Sequence, residues 1–164
     1  MIRSMLYATD LGWHASYVLQ HALALARTFA AELYVIHVVE PVGPFAESLL
    51  QSYLGENAFR ELQGQGINHV IEGIEEQVLA TFRSELGESR QDLALINAVR
   101  VVQGDPSRVI LEQAQKLDVD LVIVGSRSHG TDGDTPIGRT ATRVLQLSEV
   151  PVYMVPLLAQ SHAE

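Results

Sequence analysis

Leu33-Tyr-Val-Ile-His-Val-Val39 is β-branched and apolar almost throughout, and Glu40-Pro41 stops it. Asp120-Leu-Val-Ile-Val-Gly125 has the same character and runs out into a polar, glycine-rich stretch that lasts to Gly138. Runs this uniformly apolar suit strands covered on both faces, as in parallel sheets. Working back from Leu33, residues 14–29 carry Tyr17, Val18, His21, Ala22, Leu25 and Phe29 at helical spacing. Before that helix, Met5-Leu-Tyr-Ala8 is a short strand that ends at the turn Thr9-Asp-Leu-Gly12.

Working forward, residues 41–66 are broken by Pro41, Gly43, Pro44, Gly55, Gly64 and Gly66, with Phe45, Leu49, Leu50, Tyr53 and Leu54 marking one short helix. A longer helix follows, because Ile67, Ile71, Ile74, Val78, Phe82 and Leu86 recur every three or four residues. Leu95 to Val102 reads as a strand. Gly104-Asp-Pro-Ser107 then supplies a turn, an aspartate N-cap and a proline at the first helical position. Val109, Ile110, Ala114 and Leu117 form the apolar face of the helix it starts. A helix near residues 139–147 and a strand from Pro151 to Val155 complete the pattern. Strands alternating with helices imply right-handed crossovers and an α/β fold: a doubly wound, five-stranded parallel sheet with helices on both faces, Rossmann-like in type. Residues 1–157 are expected to form one domain and 158–164 a flexible tail. In such sheets ligands bind beyond the carboxyl ends of the strands, where strand order reverses. Those ends are Ala8-Thr-Asp10, Val38-Val39, Val102-Gln-Gly104 and Gly125-Ser126.

Composition narrows the function classes. The 164 residues are 47% hydrophobic and 19% charged, in the range of a globular domain. Eleven basic against twenty acidic residues give a formal charge of −9, and Lys116 is the one lysine. That balance argues against a nucleic-acid partner, whose affinity comes largely from neutralising phosphates. With no cysteine, disulfides, thiolate catalysis and cysteine metal sites are excluded. The N-terminus lacks the apolar core of a signal peptide, and no apolar run approaches the roughly 20 residues of a membrane span. A cytoplasmic protein without membrane insertion is expected. The six histidines make no metal site by spacing: His14 and His21 lie seven apart with no carboxylate to complete a triad, and His37 sits in a strand as a core histidine. His129 with Asp132 is too generic a pair to be zinc ligands. No P-loop, G-x-G-x-x-G or G-x-S-x-G is present, and no nucleophile–base pair stands out.

The segment most telling of function is Val124-Gly-Ser-Arg-Ser-His-Gly130 with Pro136-Ile-Gly-Arg-Thr-Ala-Thr-Arg-Val-Leu145. Gly125 leaves a strand, and Gly138, thirteen residues on, starts a helix. A glycine at a strand end admits a ligand close to the backbone. The N–H groups and positive dipole end of a helix N-terminus attract phosphate. The segment is also readable as a solvated loop that uses glycine for its turns.

With these residues the chain resembles the universal stress protein family. The resemblance covers nearly the whole chain, including Ala8-Thr9-Asp10, Leu33-Tyr-Val-Ile-His-Val38, Gly104-Asp105-Pro106 and Val150-Pro-Val-Tyr-Met-Val-Pro156. Its ATP-binding members share G-x2-G-x9-G-[S/T]; Gly125 and Gly138 match, while Ser128 and Arg139 stand at the second and fourth positions. The resemblance implies an adenine nucleotide, ATP with or without Mg²⁺, held by Ala8, Thr9, Asp10, Val38, Gly104, Gly125, Ser128, Gly138, Arg139, Thr140 and Ala141. The Ser128 hydroxyl can donate a hydrogen bond, Arg139 offers a bidentate cation to phosphate, and Thr140 supplies a hydroxyl next to it. Asp132 and Asp134 either repel a triphosphate or hold Mg²⁺ against it. Asp10 is read both as the family's aspartate beside the nucleotide and as a turn aspartate bonding its own loop.

The resemblance further implies a homodimer joined through the last strand, Pro151 to Val155, an exposed edge of the kind that finds a partner or is covered. The leading expectation is therefore a regulatory protein that binds nucleotide and signals through a dimer to a regulatory protein partner. Catalysis is limited to slow ATP hydrolysis at most. The alternatives are a nucleotide-free dimeric interaction protein and, more remotely, a nucleotide-using transferase.

Overall fold

Period-two alternation within the strands determines the layers of the fold. The computed structural model describes residues 1–12, 14–40, 48, 52, 55, 57, 67–86, 90–127 and 137–157. In chain order the elements are β1 (Ser4–Thr9), α1 (Ala15–Phe29), β2 (Glu32–Val39), α2 (Ile67–Leu86), α3 (Arg90–Leu95), β3 (Ile96–Gln103), α4 (Pro106–Lys116), β4 (Leu121–Gly125), α5 (Arg139–Leu147) and β5 (Val152–Val155). The five strands form one sheet in the order β3-β2-β1-β4-β5, and every pairing is parallel. From β1 the chain winds outward through β2 to β3, then returns to β4 on the other side of β1. The order reverses between β1 and β4.

On one face of the sheet, Met5, Tyr7, Leu33, Val35, Leu121 and Ile123 pack with Val18, Leu19, Ala22 and Leu23 of α1 and Val78 and Phe82 of α2. The residues in between, Leu6, Ile36, Val122 and Val124, turn to the opposite face and meet Val109, Ile110 and Ala114 of α4 with Ala141 and Val144 of α5. Both faces are buried, as the uniformly apolar runs require.

Three details differ from the sequence reading. Tyr17 and Phe29, counted with the apolar face of α1, are 52% and 43% exposed. The buried stripe is Val18, Leu19, Ala22, Leu23 and Ala26, a denser i, i+1, i+4 pattern that points at the sheet. Leu95 closes the short helix α3 instead of opening a strand, so β3 begins one residue later at Ile96. On α4 the buried positions include Gln113, whose amide oxygen accepts from Arg100 Nη1 at 3.3 Å, while Leu117 caps the helix half-buried. The short helix read from Phe45, Leu49, Leu50, Tyr53 and Leu54 lies outside the described residues, as does the tail at 158–164.

The N-terminal edges of β1 and β4 are joined by one carboxylate. Asp120 Oδ2 accepts from Arg3 N at 2.8 Å and Ser4 N at 3.2 Å. The bond from the Arg3 N–H, then that from Ser4, hold the Asp120 carboxyl below the usual aspartate range. These bonds favour the ionised form, so their stabilisation is complete above the ordinary aspartate pKa and is lost as pH falls through the lowered one. Asp120→Asn imitates the protonated acid. It should lower the melting temperature by a few degrees at neutral pH, and the gap to the parent protein should narrow below about pH 4, which thermal melts across that range would register.

Candidate nucleotide-binding cleft

The reversal of strand order opens a cleft between the carboxyl ends of β1 and β4, of about 280 Å³. Ala8, Thr9 and Asp10 end β1 at one side of it, and Gly125, Ser126 and Arg127 end β4 at the other. From β2 come His37, Val38 and Glu40. Val38, Ile110 and Ala141 belong to or pack on the apolar cluster under α4 and α5, and they give the cleft an apolar wall.

Helices α1, α4 and α5 all point their N-termini here, through His14, Pro106 and Gly138 respectively. The N-terminus of α4 is closed by Asp105, whose Oδ2 accepts from Arg108 N at 3.1 Å and Ser107 Oγ at 3.0 Å. Those bonds, the backbone one foremost, hold the Asp105 carboxyl low. At α1 and α5 the capping residues His14 and Gly138 provide no side-chain cap bond. Exposed helix N–H groups with the positive dipole end suit an anion.

The rim between β1 and α1 is held by its own side chains. Thr9 Oγ1 accepts from Leu11 N at 3.1 Å, and Asp10 Oδ1 accepts from Gly12 N at 2.8 Å. Together they hold Leu11 at φ 58°, in the left-handed region that a leucine enters only under constraint. On the far side Ser126 is a crosspiece, 2% exposed. Its N–H donates to Val155 O at 2.9 Å, its carbonyl accepts from Gly138 N at 2.6 Å, and its hydroxyl accepts from Leu157 N at 2.7 Å. One residue thus ties the end of β4 to the end of β5 and to the cap of α5.

Of the residues singled out in the sequence, Ala8, Thr9, Asp10, Val38, Gly125, Gly138, Thr140 and Ala141 come together around this cleft. Gly104 and Arg139 do not line it, and Ser128, Asp132 and Asp134 lie outside the described residues. Gly104 adopts φ 155°, and a Cβ there would come within 2.7 Å of Val109 Cγ2, so the turn into α4 requires glycine. It brings Pro106 to the rim. Arg139 is exposed, on the first turn of α5. At Gly125 a Cβ would meet Leu157 Cδ1 at 2.9 Å and Val18 Cγ2 at 3.4 Å, so a larger residue there would have to push the Leu157 side chain aside.

The sequence reading named Ser126 only as a strand end and did not assign His14, His37, Pro106 or Leu157 to the site. His37 was legible only in part: its place at a strand's carboxyl end was visible, but apolar neighbours on both sides made it look like core. Among the described residues no group of three or more His, Asp and Glu side chains is arranged to hold a metal ion. No helix there is long and apolar enough to cross a membrane.

The family model described as "Universal stress protein family" matches residues 1–156. A universal stress protein of Thermus aquaticus is 30% identical over 155 residues, 94% of this chain and 99% of its own length. Among solved structures, MJ0577 of Methanocaldococcus jannaschii superposes with a TM-score of 0.71 at 21% identity, covering 98% of this chain and 99% of the other. A universal stress protein solved in complex with cAMP reaches a TM-score of 0.54 at 14% identity, covering 94% and 97%.

Proposed function

The chain belongs to the universal stress protein family, and from that premise we propose that it is a regulatory protein that binds an adenine nucleotide, ATP foremost, in the cleft at the strand-order reversal. The observation that carries this reading is the α5 N-terminus: it opens into the cleft at Gly138 without a side-chain cap and stands beside the apolar wall of Val38, Ile110 and Ala141. An apolar wall suits a base and an uncapped helix start suits phosphate, so the residues present fit such a ligand. The family relative bound to cAMP supports the adenine-nucleotide class.

In this reading Val38 and the ends of β1 and β2 flank the base, with Asp10 at its edge. The backbone N–H groups of Thr140 and Ala141 and the hydroxyl of Thr140 face the phosphates. Arg139, exposed on the same turn, reaches phosphates that extend past the rim. The protein acts by occupancy, with at most slow hydrolysis: a ligand signals when it binds one state better than another. The readout is a homodimer through β5, an edge strand that follows the exposed Pro151 and whose Tyr153 hydroxyl is bonded to His21 Nδ1 of α1 at 3.0 Å. A regulatory protein partner reads that dimer.

Mass spectrometry of small molecules released on denaturing freshly purified protein tests the reading. Recovery of an adenine nucleotide near one per chain supports it, and recovery of none, with no uptake of added ATP, sinks it. The role of Arg139 has its own test. A charge-assisted hydrogen bond is worth about 1.5–3 kcal/mol, so Arg139→Ala should weaken ATP about tenfold to a hundredfold and leave adenosine nearly unaffected. Equal losses for both ligands by calorimetry would make the arginine a surface residue.

A further inference from the structure

His37 is the side chain that bridges the two strand ends flanking the base. It pairs with Thr9 in the parallel register of β1 and β2, and its Nδ1 lies 2.9 Å from the Thr9 carbonyl oxygen. A carbonyl only accepts, so Nδ1 carries the proton and donates. In the neutral ring this leaves Nε2 with a lone pair and no hydrogen, an acceptor of fixed identity and fixed direction. Among the described residues Nε2 has no bonded partner, and no buried side-chain nitrogen or oxygen lacks one, so Nε2 reaches open space. The half-buried His37 lines the cleft beside Asp10 and Val38, so the ring stands where a bound base would meet it.

We infer that His37 is a specificity-determining residue that accepts a hydrogen bond, at Nε2, from the 6-amino group of the bound purine. The inference rests on the adenine-nucleotide reading and deepens it. The side chains of Val38, Ile110 and Ala141 offer a base an apolar surface, which does not by itself tell one purine from another. A bare acceptor held at the strand ends selects the purine that presents a donor there. A ring locked by the Thr9 carbonyl loses little freedom when it makes that bond, which is where preorganisation yields selectivity. A 6-oxo purine would set one lone pair against another.

The test compares ATP with the triphosphate of 6-unsubstituted purine riboside, which keeps ribose and phosphates and lacks only the amino group. The parent protein should bind ATP about fivefold to tenfold tighter, the worth of one net hydrogen bond. His37→Phe keeps the ring's shape and removes the acceptor; it should weaken ATP by that factor, leave the unsubstituted analogue unchanged and so abolish the preference. His37→Gln, whose amide oxygen accepts, should restore part of it. Circular dichroism and melting temperature confirm that the variants fold. A parent protein that binds both triphosphates equally, or a His37→Phe loss shared equally by both, overturns the inference while the nucleotide reading stands. So does a loss that disappears with 2′-deoxy-ATP, which would assign Nε2 to the ribose. A parent protein that binds neither triphosphate overturns the nucleotide reading and this inference with it.

Discussion

Gly138→Val is expected to give a folded protein that no longer binds ATP. Gly138 caps α5 at φ −70° and ψ 165°, extended backbone that any residue adopts, so a valine there meets no conformational strain. Its links to the rest of the fold are made by backbone atoms. Its N–H donates to Ser126 O, and its carbonyl accepts from Thr142 N at 2.9 Å and Thr142 Oγ1 at 2.8 Å. All of these survive the substitution. Space is what changes. Gly138 is buried where α5 opens into the cleft, and an isopropyl group takes the room that phosphate needs beside the exposed N–H groups. ATP affinity should fall more than about a hundredfold, a loss of about 2.8 kcal/mol or more, with the melting temperature within a few degrees of the parent. Calorimetry on the folded variant checks it; near-parental affinity would place the phosphates elsewhere.

Val38→Glu is expected to cost about a hundredfold as well, for an electrostatic reason. Val38 is half-buried at the end of β2, packed on the cluster under α4 and α5, and it faces the cleft between His37 and the strand end. Asp10 and Glu40 already bring two carboxylates to the same cleft. A third would stand against an apolar base on one side and a polyanion on the other, and a charge is desolvated there at a cost of several kcal/mol unless it is paired. Position at a strand terminus spares the sheet, so stability should drop less than affinity. Asp10→Ala should weaken binding to a smaller degree, because the bond from Gly12 N to Asp10 Oδ1 shapes the rim without walling the base. Nucleotide titrations unchanged in both folded variants would move the pocket away from the first two strands.

The fold was legible because burial on two faces leaves a plain mark. Leu33 to Val39, His37 apart, and Leu121 to Gly125 are apolar at both parities, and helices of readable period separate them. Asp105-Pro106 announced α4 through cap chemistry, and the side-chain bond from Arg108 N is there. Other boundaries carry no such signal. Helix α1 stops at Ala30, held at φ 50° with its N–H on Ala26 and Arg27 carbonyls, a geometry usually marked by glycine. Tyr17 and Phe29 keep apolar spacing yet face solvent, since period alone does not say which of two adjacent stripes meets the sheet.

For the site, the strand-end rule pointed to where the cleft lies, and Gly125 and Gly138 both line it. What the rule leaves out is the side chains that reach the cleft from tertiary contacts. Leu157 arrives through a bond from its N–H to Ser126 Oγ, thirty-one residues away. His37 lines the cleft with its ring held by a carbonyl on the neighbouring strand. Neither contact has a local sequence pattern.

Binding of an adenine nucleotide in the cleft between β1 and β4 is measured by titrating the purified chain with ATP in a calorimeter, with Gly138→Val alongside. The predicted result is saturable binding of one ATP per chain, with a dissociation constant below about 1 mM, abolished in the variant. Absence of binding by the folded parent protein, or equal binding by the two, would contradict it.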